Sequence, residues 1–151
     1  SPHLVRINER IRVNGVSVSD FHFETFVNQF KESIISLDAS FFETLTAFAF
    51  WNFCQEKVDI AIMETGLGGR LDSVTACNPM ITIMTKISLD HIEILGNSLE
   101  KITHEKAGIL KRGTPCYSTT QDIEVKKALL KYTLITYDNF LYICLKLSYV
   151  P

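Results

Sequence analysis

The chain has 151 residues, 46% hydrophobic and 21% charged, with a formal net charge of -2, which is one domain's worth of chain and enough to bury a core. Its near-neutral balance leaves no basic footprint for nucleic acid, and no apolar run approaches the roughly 20 residues of a membrane span. Cys54, Cys77, Cys116 and Cys144 are widely spaced with no C-x-x-C pair, so each reads as a buried or incidental thiol, suited to a reducing cytoplasm, rather than a metal ligand or half of a disulfide.

In chain order, Phe23, Phe26, Val27, Phe30 and Ile34 recur at helical spacing behind Ser19 and Asp20, either of which can cap the helix. Ser40 with Glu43 makes a capping box for a second helix reaching about Cys54. Val58 to Met63 and Ile81 to Thr85 are short β-branched-rich runs, expected as parallel strands buried on both faces, and Pro115 to Thr119 is expected as a third. A short polar helix should begin near Ser98, and Gln121 to Lys131 reads as a helix before a further strand at Thr133 to Tyr137. Residues 139–151 are apolar without a clean period. They read either as a last strand of the sheet or as an out-of-frame tail, with the second preferred.

The richest segment runs Ile62-Met63-Glu64-Thr65-Gly66-Leu67-Gly68-Gly69-Arg70-Leu71-Asp72. An acidic residue at the end of an apolar run, followed by glycines that let backbone approach a ligand, is how α/β enzymes set a metal beside a phosphate. Taken alone, the string is as good a tight turn as it is a phosphate loop. Two further segments bear on it: Asp90-His91 after the run at Ile81 to Thr85, and Glu105-Lys106-Ala107-Gly108-Ile109 after the helix near Ser98.

Together with Ser1-Pro2-His3-Leu4, the stretch from Glu9 to Gly15 and Phe41-Phe42-Glu43-Thr44-Leu45-Thr46-Ala47, these segments in this order resemble the folylpolyglutamate synthase and dihydrofolate synthase family, within the Mur-ligase-like ATP-dependent amide ligases. The resemblance covers roughly residues 1 to 120. The G-L-G-G-R-L-D and L-D-H-I-E-I-L-G strings separate this folate branch from the peptidoglycan branch, which is similar only in general layout.

The resemblance implies a metal role in magnesium binding for Glu64 and for His91, although imidazole is a softer donor than magnesium usually takes. Asp90 is then either a partner that orients the ring or a helix cap. It implies that Lys106 is catalytic and carbamylated, turning a cation into an anion able to approach the metal; Glu105 beside it reads as structural. Phe42 and Asp72 occupy the positions that stack on and read the pterin, with Ser40 where the family often has Thr and Arg70 close to the phosphate and substrate side. On residues alone, Phe42 would be core. Residues Asp72 to Pro79 depart from the family's D-A-T-N pattern. His3, His22 and His104 have no comparable context.

The expected architecture is α/β, a mostly parallel sheet flanked by helices, with residues 1–138 forming a partial central ATPase domain, residues 139–151 a tail, and the smaller ligase domain outside the chain. No G-x-x-x-x-G-K-[ST] phosphate loop occurs in these residues, and the start at Ser1 suggests a fragment. The implied activity is ligation of L-glutamate to dihydropteroate, to a (tetrahydro)folate, or to both, through an acyl phosphate. ATP is a substrate and magnesium the cofactor, in a cytoplasmic enzyme that is monomeric when intact, with neither nucleic acid nor membrane as partner. The fragment by itself is expected to be inactive. A non-catalytic remnant or interaction module is the alternative from another class, and a cell-wall Mur ligase is disfavoured by the G-L-G-G-R-L-D string.

Overall fold

A computed structural model describes residues 3–136 and 142–144. Contacts divide the chain into two units, Ser1–Gly66 and Leu67–Pro151.

The first unit opens with a 3-10 turn, Ile7–Arg10, and a hairpin of β1 (Arg12–Val13) and β2 (Val16–Ser17), with Val13 opposite Val16. The turn is Asn14-Gly15, both at positive φ, the pairing that matches the twist of two antiparallel strands. Helices α1 (Asp20–Ser36) and α2 (Phe41–Gln55) follow. Ser19 caps α1 by accepting from the His22 amide, and the box at α2 is reciprocal: Ser40 Oγ accepts from the Glu43 amide at 3.3 Å while the Glu43 carboxylate accepts from the Ser40 amide at 2.8 Å.

The helical face read from the sequence is the packed one. Phe26, Leu45, Phe48 and Ala49 are buried with Ile11 and Val18, and Phe23, Val27, Phe30 and Ile34 pack against them. Phe48 is fully enclosed, with Phe23 edge-on at 5.0 Å and Phe26 tilted at 5.3 Å between ring centroids. Such pairs contribute about 0.5–1.5 kcal/mol each beyond the area they bury.

The strand expected at Val58 to Met63 does not form. The stretch is irregular, with Ile60 and Ile62 exposed, and it enters no ladder among the described residues. β-branched residues favour an extended backbone, but a strand exists only where a neighbour takes its amides and carbonyls, which no local pattern supplies.

In the second unit, β3 (Thr82–Met84), β4 (Cys116–Ser118) and β5 (Tyr142–Cys144) form a parallel sheet in that order, with Thr82 opposite Cys116 and Cys116 opposite Tyr142. Helices α3 (Ile92–Leu95) and α4 (Leu99–Ala107) connect β3 to β4, and α5 (Ile123–Thr136) precedes β5. This is the alternation that parallel pairing demands, because each crossover must return the chain to the same edge direction. The core joins Met84 and Cys116 of the sheet to Ile102 and Ala107 of α4 and Val125 and Leu129 of α5. Burial pushes the Cys116 thiol up, which keeps it protonated and inert.

Two expectations change here. Thr133 to Thr136 is the last turn of α5, not a strand, because the helical run continues without a breaker past Lys131; Tyr137 lies outside the described residues. Within 139–151, the backbone of Tyr142–Cys144 pairs with β4, so these three residues follow the last-strand reading. The rest of that segment lies outside the described residues.

One buried side chain ties this sheet together. Gln121, 3% exposed, donates to the Thr85 carbonyl at 2.7 Å and to Ser118 Oγ at 3.0 Å, and accepts from the Ile87 amide at 2.9 Å. It satisfies backbone groups just past the end of β3 that the ladder leaves unpaired.

Candidate active site

The two units divide the candidate residues. Ser40, Phe42 and Glu64 belong to the first; Arg70, Asp72, His91 and Lys106 belong to the second.

Ser40 is spent on the cap of α2, since its hydroxyl accepts from Glu43. Phe42, the second residue of the same helix, is half-buried but stands outside the aromatic cluster around Phe48. Its ring lies on Gly66, where an added Cβ would come within 2.5 Å of Cζ and 2.8 Å of Cε2. As the ring stands, it leaves no room for a Cβ at the entry to the loop, a contact that no spacing argument reveals. Glu64 is exposed at the end of the irregular stretch and does not terminate a strand.

In the second unit the glycine loop folds onto the C-terminal end of α4. The Arg70 amide donates to the Glu105 carbonyl at 2.8 Å, capping one of the acceptors that every helix end leaves open. Arg70 Nε also reaches both oxygens of the Glu105 carboxylate, at 3.1 and 3.2 Å. Two glycines allow this approach. A Cβ on Gly69 would lie 2.9 Å from the Lys106 carbonyl, and one on Gly108 would collide with the backbone of Arg70. The two strings that stood apart in the sequence are thus two sides of one contact.

Asp72 is 7% exposed and shapes the loop from within. One carboxylate oxygen accepts from the Leu67 amide and the other from the Val74 amide, both at 3.0 Å, so Asp72 closes the glycine turn and caps the 3-10 turn Ser73–Ala76.

His91 sits at a left-handed backbone position, φ 49 and ψ 39, immediately before α3. Such a conformation costs a non-glycine residue roughly 1–2 kcal/mol. The Asp90 carboxylate accepts from the His91 amide at 2.8 Å and lies 3.7 Å from Nε2 of the ring. Asp90 thus contacts the imidazole and does not cap the helix: the N-cap position is His91 itself, without a side-chain bond. Lys106 lies in the last turn of α4, half-buried.

The remaining histidines have structural partners. His3 accepts from Arg10 Nε, His22 pairs with the buried Asn52, and His104 meets Tyr132 edge-on at 5.3 Å. Among the described residues no group of three or more His, Cys, Asp or Glu side chains converges to hold a metal, and no helix is long and apolar enough to cross a membrane.

The Mur ligase middle domain family matches residues 40–133. The chain is 43% identical over 136 residues to the dihydrofolate synthase/folylpolyglutamate synthase of Bacillus subtilis, an alignment covering 85% of this chain and 32% of that protein. Among solved structures, the Mycobacterium tuberculosis folylpolyglutamate synthase complexed with ADP superposes with a TM-score of 0.85 at 31% identity, covering 95% of this chain and 34% of that one. A folylpolyglutamate synthase complex with AMPPCP and folate gives 0.82 at 32% identity, covering 94% and 36%. The chain spans about a quarter to a third of the length of the curated relatives it matches. With the glycine loop seated on the E-K-A-G turn and a parallel sheet behind them, the chain belongs to the Mur ligase middle domain family, in its folylpolyglutamate synthase and dihydrofolate synthase branch.

Proposed function

We propose that this chain is the middle-domain portion of an ATP-dependent ligase of folate metabolism, joining the amine of L-glutamate to the carboxylate of dihydropteroate or of a (tetrahydro)folate. The observation that carries the reading is the backbone contact between the glycine loop and the last turn of α4, 35 residues apart in sequence. It sets Lys106 in the same turn as the carbonyls that the loop covers.

Amide formation in water is uphill, so the γ-phosphoryl group of ATP is first transferred to the carboxylate oxygen with release of ADP. The glutamate amine then attacks the acyl carbon, loses a proton and expels phosphate. The protein's share is positioning and charge neutralisation. Glu64 would offer the hard carboxylate oxygen that magnesium prefers, and His91, by the resemblance, a softer donor to a second magnesium. An ion shared with phosphates needs only one or two protein ligands. Bound there, magnesium would neutralise charge developing on the transferred phosphoryl group. Lys106, carbamylated, would act on the phosphate as well; by the same resemblance Arg70 and Ser40 would belong to the phosphate and substrate side, and Phe42 and Asp72 would meet the pterin. We infer a cytoplasmic, monomeric parent enzyme, a location suited to the free thiols of Cys54, Cys77 and Cys116.

The 151 residues alone, lacking the G-x-x-x-x-G-K-[ST] pattern, should form no ligation product from ATP, magnesium, glutamate and dihydropteroate or tetrahydrofolate; turnover by the purified chain would overturn that expectation. The activity itself is tested by grafting residues 1–136 in place of the matching segment of the Bacillus subtilis relative. Product formation supports the ligase. A folded but inactive graft beside an active parent would favour the second reading, a non-catalytic remnant.

Within an active graft, Glu64→Ala should lower kcat by about a hundredfold or more with little change in pteroate affinity, as befits a group acting on developing phosphate charge. Phe42→Ala should raise the pteroate requirement by about tenfold through lost stacking. A large loss of stability with unchanged pteroate affinity would return that ring to a packing role.

A further inference from the structure

We infer that Glu105 is a positioning residue of the site, acting through Arg70: the pair locks the glycine loop onto the end of α4, and Arg70 serves the reaction as one half of this lock and not as a phosphate contact. The inference rests on the ligase reading above; it adds Glu105 to that reading and replaces the phosphate-side role given to Arg70.

Four observations converge on the lock, all inside the second unit. The Arg70 amide is bonded to the Glu105 carbonyl and its guanidinium to the Glu105 carboxylate, so one residue engages the other by both main chain and side chain. The contact is backbone-close on each face, since neither Gly69 nor Gly108 has room for a Cβ. The Glu105 side chain is only 23% exposed, which limits the solvent screening that makes most surface ion pairs weak. Finally, Asp72 fixes the far end of the same loop from inside, through Leu67 and Val74.

The loop is thereby held at both ends, and the residue after Glu105 is Lys106. A group one position along the same helical turn moves with that turn. Loosening the lock therefore displaces Lys106 and the loop together, and misplacement by about an ångström is enough to cost on the order of a hundredfold in rate. The guanidinium meets both carboxylate oxygens through Nε, so its charge is already balanced by Glu105 and is less available to a phosphate.

Charge reversal separates the two roles. In the active graft described above, Arg70→Glu and Glu105→Arg should each lower kcat by about tenfold to a hundredfold, while KM for ATP moves less than about threefold. The double variant Arg70→Glu with Glu105→Arg should recover most of the lost kcat, because the pair is restored with its charges exchanged. Lys131→Ala, which removes the exposed pair between Glu100 of α4 and Lys131 of α5, is the control and should leave activity unchanged.

A double variant as inactive as Arg70→Glu alone, with a raised KM for ATP, would overturn the inference and return Arg70 to the phosphate. If the graft with the unaltered segment makes no product, the ligase reading has failed instead. The lock is then still testable in the 151-residue chain by amide hydrogen exchange. There Glu105→Arg should speed exchange at the Arg70 amide by about tenfold or more, the double variant should restore protection, and equal exchange in all three chains would refute it.

Discussion

Each of the two units is stabilised internally by different means. In Ser1–Gly66 the stabilising contacts are apolar and mostly local: a two-residue turn, two capped helices, and aromatic rings from neighbouring helices interleaved around Phe48. In Leu67–Pro151 the apolar core is equally real, yet the geometry that matters for a site is fixed by polar groups reaching across more than 30 residues, Arg70 to Glu105 and Gln121 to Thr85 and Ile87. Apolar packing tolerates exchange of shape for shape, whereas a buried hydrogen-bond network depends on each member, so damage should be graded in the first unit and abrupt in the second.

The largest effect should come from the first unit's most enclosed ring. Phe48→Ala removes a side chain with no exposure and should cost about 3–5 kcal/mol in chemical denaturation, with loss of amide protection concentrated in α1 and α2. Phe48→Leu should recover most of that. Equal costs for both substitutions would contradict a packing origin.

Next is the second unit's buried amide. Gln121→Leu keeps the volume but strands the Thr85 carbonyl and the Ile87 amide, and should cost about 2–4 kcal/mol at roughly one to two for each group left unpaired. A cost below that of an ordinary surface substitution would mean that water replaces the amide and that this network does not carry the unit.

The glycines sharpen the comparison further. Gly108→Ala and Gly66→Ala each drive a Cβ into a neighbour, the backbone of Arg70 in one case and the Phe42 ring in the other. A ring can turn aside; a backbone held by Glu105 cannot. Gly108→Ala should therefore cost about 1–3 kcal/mol and Gly66→Ala less, as overpacking costs scale with what must move. Gly113, at φ +75 with open space around it, serves as a control whose alanine variant reports only the left-handed backbone, about 1–2 kcal/mol.

The smallest expected effect is electrostatic. Amides of Leu4, Arg6 and Val5 donate to the Glu9 carboxylate and hold its pKa down at about 2, from an ordinary 4.5. A depressed carboxylate contributes stability that is present above its unfolded pKa and is lost as the pH falls through the folded one, here between about 4.5 and 2. The group is fully exposed, so the change should be visible mainly as release of the Leu4 to Arg6 amides on acid titration by NMR. Glu9→Gln should abolish that transition.

Much of this was legible in the chain because it is local. Caps at Ser19, Ser40 and Ser98, the apolar face of α1 and the short strands at Thr82–Met84 and Cys116–Ser118 follow from propensities and periods spanning a few residues. The family, too, could be read from strings, since G-L-G-G-R-L-D and E-K-A-G are each continuous. Where a reading depended on neighbours it went astray. Val58 to Met63 has the composition of a strand and no ladder, and Thr133 to Thr136 has the composition of a strand and ends a helix.

By itself, then, the sequence determined element type wherever the deciding contacts lie within a turn or two, and it determined kinship, because motif residues are written consecutively. Only the tertiary structure decided what those residues touch. It showed Asp72 turned inward on Leu67 and Val74, Phe42 resting on Gly66, and Arg70 bound to Glu105. The reason is physical: a hydrogen bond or a missing Cβ is a relation between two places in space, and residues 35 apart in the chain carry no local signal that they will meet.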